Sequence, residues 1–179
     1  MTIEVVDYDN AWPRDAEAAC KELHNRLPGL FTVIEHIGST SVPGLAAKPV
    51  IDLMAAAEYL AEVTADDEAL RLLGYERHET GMPRRLFYRR NENGRWAYHL
   101  HVVPADTWPT RNERLLRDYL RAHPADAHRY GALKRELAQL ALRNEASPDY
   151  TQAKTELIQE LTDRARAARG LPSVPVWEE

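Results

Sequence analysis

The sequence predicts an α+β protein: a mixed sheet with flanking helices, followed by a C-terminal helical bundle. Three observations predict it. The periodic segments run in the order helix, strand, strand, helix, strand, strand and then three helices. Residues 49–55 form a nearly continuous apolar run, which suits a strand buried on both faces. The composition is that of an ordinary globular chain: 179 residues, 44% hydrophobic and 28% charged, with 11 Pro and 8 Gly. A chain of this length can bury roughly 70% of its unfolded surface.

The first helix is expected over 10–27, with Asn10 as its cap and Pro13 in the first turn. Ala16, Ala19, Cys20, Leu23 and Leu27 fall on one face, and Pro28-Gly29 ends the helix. This spacing makes the lone Cys20 a core residue. Residues 32–37 read as a strand ending at Gly38, and 39–48 as a loop containing Pro43 and Gly44. A second strand follows over 49–55, interrupted by Asp52. Residues 58–73 are expected to be helical, closed by Gly74. Strands over 85–89 and 96–103 are joined by a hairpin connection at Asn91-Glu-Asn-Gly94. From 111 onward Pro124 and Pro148 divide the chain into three helices. The last has Ser147 as its cap and buries Tyr150, Leu157, Ile158, Leu161 and Ala165. One domain over 1–170 is expected, with 1–106 as its α/β core, 107–170 as its helical part and 171–179 as a loose, flexible tail.

Charge and composition exclude several classes. One cysteine makes no internal disulfide. No apolar run approaches the ~20 residues of a membrane span, and MTIEVVDYDN lacks a secretory pattern, so a cytoplasmic protein with no membrane partner is expected. The net charge of -5 hides an uneven distribution. Residues 1–83 carry 6 Lys/Arg against 15 Asp/Glu, whereas 84–106 carry 5 against 2 and 107–170 carry 12 against 9. A basic second half can face an anionic ligand, while net acidity and scattered aromatics argue against broad nucleic-acid binding.

Three clusters could carry chemistry. In His36-Ile-Gly-Ser-Thr-Ser-Val-Pro-Gly-Leu-Ala-Ala-Lys-Pro-Val-Ile-Asp52, three hydroxyl residues follow a glycine at a strand end. Gly38 allows close backbone approach, Ser39, Thr40 and Ser41 can cradle a phosphate, and Lys48 adds a point charge. Five residues separate Gly38 from Gly44, and Leu45 follows, so this is no P-loop. Asp52 in an apolar strand calls for a partner or a cation and is a candidate Mg²⁺ ligand. In the second cluster His99 and His101 share one strand face. They can ligate a metal, transfer protons or bind phosphate, and His36 is a possible third ligand for zinc. The third cluster is Arg117 and Arg121, four apart on a helix, followed by Tyr130, Lys134 and Lys154 on later helices. Nucleophile-elbow, zinc-protease, dinucleotide-binding and Cys-x-x-Cys patterns are missing.

Several of these segments together resemble the GrpB family. The resemblance lies in Glu35-His-Ile-Gly-Ser-Thr-Ser-Val-Pro-Gly-Leu-Ala-Ala-Lys-Pro-Val-Ile-Asp52, His99-Leu-His-Val-Val103, Arg117-Asp-Tyr-Leu-Arg-Ala-His-Pro124 and Tyr130-Gly-Ala-Leu-Lys134. Tyr8-Asp-x-x-Trp-Pro13 and Tyr150-x-x-x-Lys154 fit as well, so the likeness spans roughly 5–168. It implies a nucleotidyltransferase fold of the polymerase-beta-like kind, and a relationship to a domain fused to some bacterial dephospho-coenzyme A kinases. In that superfamily a Gly-Ser pair holds nucleotide phosphates. An Asp-x-Asp or Asp-x-Glu strand and a third carboxylate bind two Mg²⁺. Gly38, Ser39 and Asp52 match the first parts, but Met54 stands where the second carboxylate belongs, and His99 and His101 replace the third.

The resemblance thus implies a bacterial nucleotidyltransferase-like protein binding a nucleotide or other phosphorylated small molecule, with Mg²⁺ or Mn²⁺, in a cleft between sheet and helices. Asp52, His99 and His101 are its implied catalytic and metal residues. Gly38, Ser39, Thr40, Ser41, Lys48, Arg117, Lys134 and Lys154 are its implied phosphate contacts. The alternative is a non-catalytic module that binds a nucleotide or coenzyme-A-type phosphate, or an accessory protein-interaction factor.

Overall fold

A computed structural model describes residues 4–143 and 148–176 of the chain. Its elements are α1 (Trp12–Arg26), β1 (Val33–Ile37), β2 (Ile51–Ala57), α2 (Leu60–Ala65), α3 (Asp67–Leu72), β3 (Tyr75–Arg77), β4 (Leu86–Glu92), β5 (Arg95–Pro104), α4 (Asn112–Ala122), α5 (Pro124–Leu142) and α6 (Pro148–Ala167). Short 3₁₀ segments occupy Ser39–Ser41 and Ala105–Thr110. The five strands form one mixed sheet in the order β1-β2-β5-β4-β3. The β2–β5 pair is parallel, so the chain must cross over between them, and α2, α3 and the β3–β4 pair make that crossover. The other pairings are antiparallel.

The α+β expectation holds, with local differences. Ala11 precedes α1 without a side-chain cap, and the Ala11 amide donates to Asp9 Oδ1 at 2.8 Å, so Asp9 rather than Asn10 steadies this entry. The single helix expected over 58–73 is two, divided at Asp66. The short strand β3 follows Gly74 and was not expected; only Tyr75 of its three residues is buried. A stretch with one buried position shows no alternation to read. Asn91 and Glu92 belong to β4, and the hairpin turn is Asn93-Gly94, both at positive φ (52° and 80°), as a tight two-residue turn requires. Residues 171–176, expected to be loose, are fastened: Arg166 donates to the Pro172 carbonyl, Gln159 donates to the Val174 carbonyl, and the Val176 amide donates to Gln159. The expected cap Ser147 and the Tyr150 side chain lie outside the described residues.

The sheet has two unlike faces. On one, Leu53, Ala55, Leu100, Val102 and Tyr88 pack with Ala16, Ala19 and Leu23 of α1, Val63 of α2 and Leu70 of α3 in the main core. Cys20 is half-buried at its edge, and burial pushes its thiol up to about 11, which suits packing and not reactivity. On the other face a small apolar cluster of Ile37, Met54 and Val103 meets Trp108. Beside it lies a polar strip, because strand alternation brings Asp52, His99 and His101 to this face.

Helix α4 is fixed over the polar face by charge. Glu35 of β1 accepts from Arg114 at 3.2 Å through both oxygens and from Arg117 at 2.6 Å. Arg117 also donates to the His36 carbonyl (3.0 Å) and to Asp118 (2.9 Å), and Arg114 stacks on Trp108. Burial alone would raise the Glu35 carboxyl, but Arg114 and Arg117 outweigh it and hold it below its ordinary value. Removing Glu35 would leave recessed Arg114 without a carboxylate and Arg117 with Asp118 alone. Glu35→Ala should therefore lower the unfolding free energy by about 3 kcal/mol in urea melts.

Candidate functional site

The site is built where the β1 exit meets the middle of the sheet. Gly38 follows β1 at φ 72° and ψ -172°, a region essentially reserved for glycine. The turn it permits brings its Cα against Asp52, so a Cβ there would sit 2.6 Å from Asp52 Oδ2. The other oxygen, Oδ1, accepts from His99 Nδ1 at 3.1 Å and lies 3.9 Å from His101 Nε2. The parallel register sets this up, since Asp52 is opposite His99 and Met54 opposite His101. All three side chains keep partial solvent access, at 28%, 23% and 21% exposure. Burial would raise the Asp52 carboxyl, but the imidazoles of His101 and His99 prevail and bring it down to about 2. An ionised carboxylate can only accept, so His99 carries its proton on Nδ1, and in the neutral ring its Nε2 presents a lone pair. Phe87 of β4 packs against both imidazoles, with centroids 5.1 and 4.9 Å away.

The hydroxyl cluster divides its work. Ser41 donates to the Gly38 carbonyl at 2.5 Å, and Thr40 is hydrogen-bonded to His36 Nε2 at 2.8 Å, so both hold the turn. Both are buried, and Ser39 is the hydroxyl left at the rim. His36 faces away from Asp52: its register partner is Leu53, and burial pushes its imidazole down to about 4. The position expected for a third zinc ligand therefore belongs to the turn.

The opposite wall comes from α5. Gly131 packs so closely on Leu45 that a Cβ would come within 3.2 Å of its Cδ1. This approach brings Tyr130 and Lys134, one helical turn apart, to the 39–47 loop. Lys134 Nζ lies 4.5 Å from the Tyr130 ring centre and is buried without a hydrogen-bond partner. Burial, then the charge of Lys154, push the Lys134 ammonium down to about 7, while Asp52 acts in the opposite sense. Burial also raises the Tyr130 phenol, with the Ser39 side chain beside it pulling the other way.

The structure thus brings together Gly38, Ser39, Asp52, His99, His101 and Lys134, with exposed Lys154 within electrostatic reach. Arg117 is not a phosphate contact. It is buried, and its guanidinium is committed to Glu35, Asp118 and the His36 carbonyl. Lys48 is exposed beside Ala47, which bridges to Val6. Sequence reasoning missed Phe87, Arg85 and Glu113. Arg85 is paired with Glu113 of α4, whose carboxyl also feels His101. Alternation of Arg85, Phe87 and Arg89 opposite His101 and His99 was the signal that could have found the first two.

The GrpB protein family model matches residues 2–164. This chain belongs to the GrpB family. It is similar to the GrpB protein of Enterococcus faecalis, with 31% identity and a TM-score of 0.81 over 93% of this chain and 99% of that one. It is 32% identical over 165 residues to protein YqkA of Bacillus subtilis, covering 92% of this chain and 47% of YqkA, so it spans about half of that relative. A dephospho-CoA kinase of Mycolicibacterium paratuberculosis matches at 29% identity over 78% of this chain and 40% of that protein. The Cid1 poly(U) polymerase, in a form bound to MgATP, superposes with a TM-score of 0.54 at 14% identity, over 75% of this chain and 44% of that one. That likeness is one of fold: the GrpB chain has a nucleotidyltransferase-like sheet and helices.

The donor set of this GrpB chain does not fit a resident pair of divalent cations. Met54 is fully buried beside Ile37 and Val103, Asp52 is the lone carboxylate on its strand, and its Oδ1 is occupied by His99. Among the described residues no three His, Cys, Asp or Glu side chains converge to hold a metal ion. No helix among them is long and apolar enough to cross a membrane. The close Gly38–Asp52 contact makes a sharp prediction. Gly38→Ala should cost about 1–3 kcal/mol in thermal or urea melts from backbone strain alone. It should also displace Asp52, visible as loss of the His99 side-chain NMR signals from their wild-type positions.

Proposed function

We propose that the protein binds the phosphates of a nucleotide or other phosphorylated small molecule in the cleft between the Asp52 face of the sheet and α5. The observation that carries this reading is the buried Lys134 amino group, which has the Tyr130 ring beside it but no hydrogen-bond partner. Native proteins rarely leave such a group uncompensated, and an entering phosphate supplies the missing charge and acceptors. The Gly38 turn offers Ser39 to the same anion, and Lys154 adds a second positive charge. The nucleotidyltransferase-like fold supports the choice of a nucleotide, and the kinase relative supports a coenzyme-A-type phosphate as the neighbouring possibility. A cytoplasmic setting accords with either ligand.

Asp52 and His99 add a proton-transfer pair. Held by Asp52 through Nδ1, His99 takes the proton of an acceptor hydroxyl at Nε2. The hydroxyl oxygen then bonds to phosphorus, the bond to the leaving phosphate breaks, and Lys134 offsets the charge that develops there. The imidazolium so formed is balanced by Asp52. Were Mg²⁺ or Mn²⁺ to accompany the ligand's phosphates, Asp52 would offer an oxygen and His101 a nitrogen, or His99 in place of its proton-transfer role, a set that would suit Mn²⁺ better. Met54 favours the second reading, a module that binds the phosphates without turnover. Pyrophosphate release from a nucleoside triphosphate with a panel of hydroxyl acceptors separates the two.

Binding should raise the melting temperature with at least one of a panel of nucleotides and coenzyme A, tested with and without Mg²⁺ or Mn²⁺. A flat response across the panel contradicts the reading. Lys134→Met should weaken that binding at least about tenfold, or ~1.4 kcal/mol. Anion binding should return the Lys134 proton, so calorimetry near pH 7.5 in buffers of different ionisation enthalpy should register proton uptake. The same group sets a pH dependence. Its folded value near 7 lies below the ordinary 10.5, so the unfolded chain binds the extra proton between them. Its contribution to stability therefore rises with pH across that window. Lys134→Met should flatten the rise and increase stability at neutral pH.

A further inference from the structure

The outer half of the polar sheet face carries a row of aromatic rings that the phosphate cleft does not use. Phe87 packs on both imidazoles of the site, and from there the row runs outward over β4 and β5. His78 lies 6.4 Å from Phe87 between ring centres, and Trp96 meets His78 edge to face at 5.5 Å. The guanidinium of Arg89 lies over the Trp96 ring, 4.4 Å from its centre. Arg89 also donates to His78 Nδ1 at 2.7 Å, which ties these side chains together. His99, Phe87, Arg89, Trp96 and His78 all keep partial solvent access. Helix α4 meets this half of the face at Arg85, through Glu113, at the end of β4 away from the hairpin turn.

Trp96 is on this face because its strand is irregular. Strict alternation would send it, with Tyr98 and Leu100, into the main core. Between the pairs Arg90–Tyr98 and Asn91–Trp96 the register shifts, and Ala97 is the extra residue of a bulge. Trp96 is thereby turned to the side of Arg89 and His99. Such a bulge re-aims one side chain, and here it leaves partly open a large ring that the core would otherwise bury. Rings in a row, braced by a cation, form a surface on which a flat ring can stack. Glu76 of β3 is opposite Arg89 in the register, so this shelf selects for flatness more than for charge.

Position supplies the rest. His99 stands between the two regions, with Asp52 of β2 on one side of it and Phe87 of β4 on the other. A molecule whose ring rests on the shelf can therefore bring a hydroxyl to His99. We infer that the row of Phe87, His78 and Trp96 is the acceptor subsite, and that the acceptor is an alcohol carrying a flat aromatic ring, of the nucleoside class. The acceptor role rests on the phosphate-binding reading above, whereas the binding of the ring does not.

The test follows the indole N–H signals of the ¹⁵N-labelled full chain during titration with adenosine, benzyl alcohol and ribose, none of which carries a phosphate. Adenosine should shift the Trp96 signal in the millimolar range and leave in place those of Trp12, in the main core, and Trp108, stacked on Arg114. Ribose should shift none of them. Trp96→Leu should weaken adenosine binding at least about fivefold, read from the His99 ring signals, and Trp96→Phe should keep most of it, with the fold verified by thermal melting. Absence of a Trp96 shift with adenosine overturns the subsite, as do equal shifts with ribose or wild-type binding in Trp96→Leu. Tighter binding of benzyl alcohol than of adenosine contradicts the nucleoside class. Should Trp96→Leu fail to fold, the wild-type titrations decide alone. A flat melting response to nucleotides and coenzyme A would remove the phosphate reading, and the acceptor role with it, while the Trp96 shift would still report the shelf, so the two failures are told apart.

Discussion

A carboxylate set into an apolar strand at the centre of a sheet must be stabilised by its neighbours, and the surroundings of Asp52 meet that demand from two sides. Gly38 lets the β1 exit close against one oxygen, and His99 donates to the other. Neither contact would exist without the other parts of the fold. The parallel β2–β5 pairing places the imidazole opposite the carboxylate. The glycine-only backbone at Gly38 turns the chain sharply enough to bring the hydroxyl turn over the strand ends. Asp52 consequently stays ionised in a recessed place, and cations of α4 and α5 lie over the same face of the sheet.

Those cations fall into two groups with different work. Arg114 and Arg117 meet Glu35 and clamp α4 to β1, so their charge is used in holding helix to sheet. Lys134, with Lys154 near it, is left without a compensating carboxylate. A charged residue on a helix facing a sheet can be either a strut or a ligand group, and the partner decides which. The acidic first half of the chain supplies Asp52 and Glu35, while the basic second half supplies both kinds of cation. The sequence-wide charge division therefore reflects the joining of sheet to helices as much as any ligand.

Much of this was legible in the linear sequence. The apolar run interrupted by Asp52 marked the inner strand β2, and alternation put His99 and His101 on one face. Proline at the first turns of α5 and α6 marked both helix starts. The misses have physical reasons. β3 has one buried residue and no periodicity. The break at Asp66 falls where Val63, Thr64, Asp66 and Asp67 are all weak helix formers, a local signal masked by the apolar spacing of the longer segment. Arg117 reads as a phosphate contact only until its distance to Glu35, 82 positions away, is known. The placing of Trp96 on the site face leaves no mark in sequence, because a bulge is a property of strand pairing.

The account depends most on the Asp52–His99 contact, since the ionised carboxylate fixes which ring nitrogen keeps its lone pair. Long-range ¹H–¹⁵N spectra of the His99 ring, taken where the imidazole is neutral, test this directly. The account predicts the Nδ1–H tautomer in the wild-type protein and loss of that preference in Asp52→Ala. A wild-type ring protonated on Nε2, or a tautomer indifferent to the substitution, would contradict it.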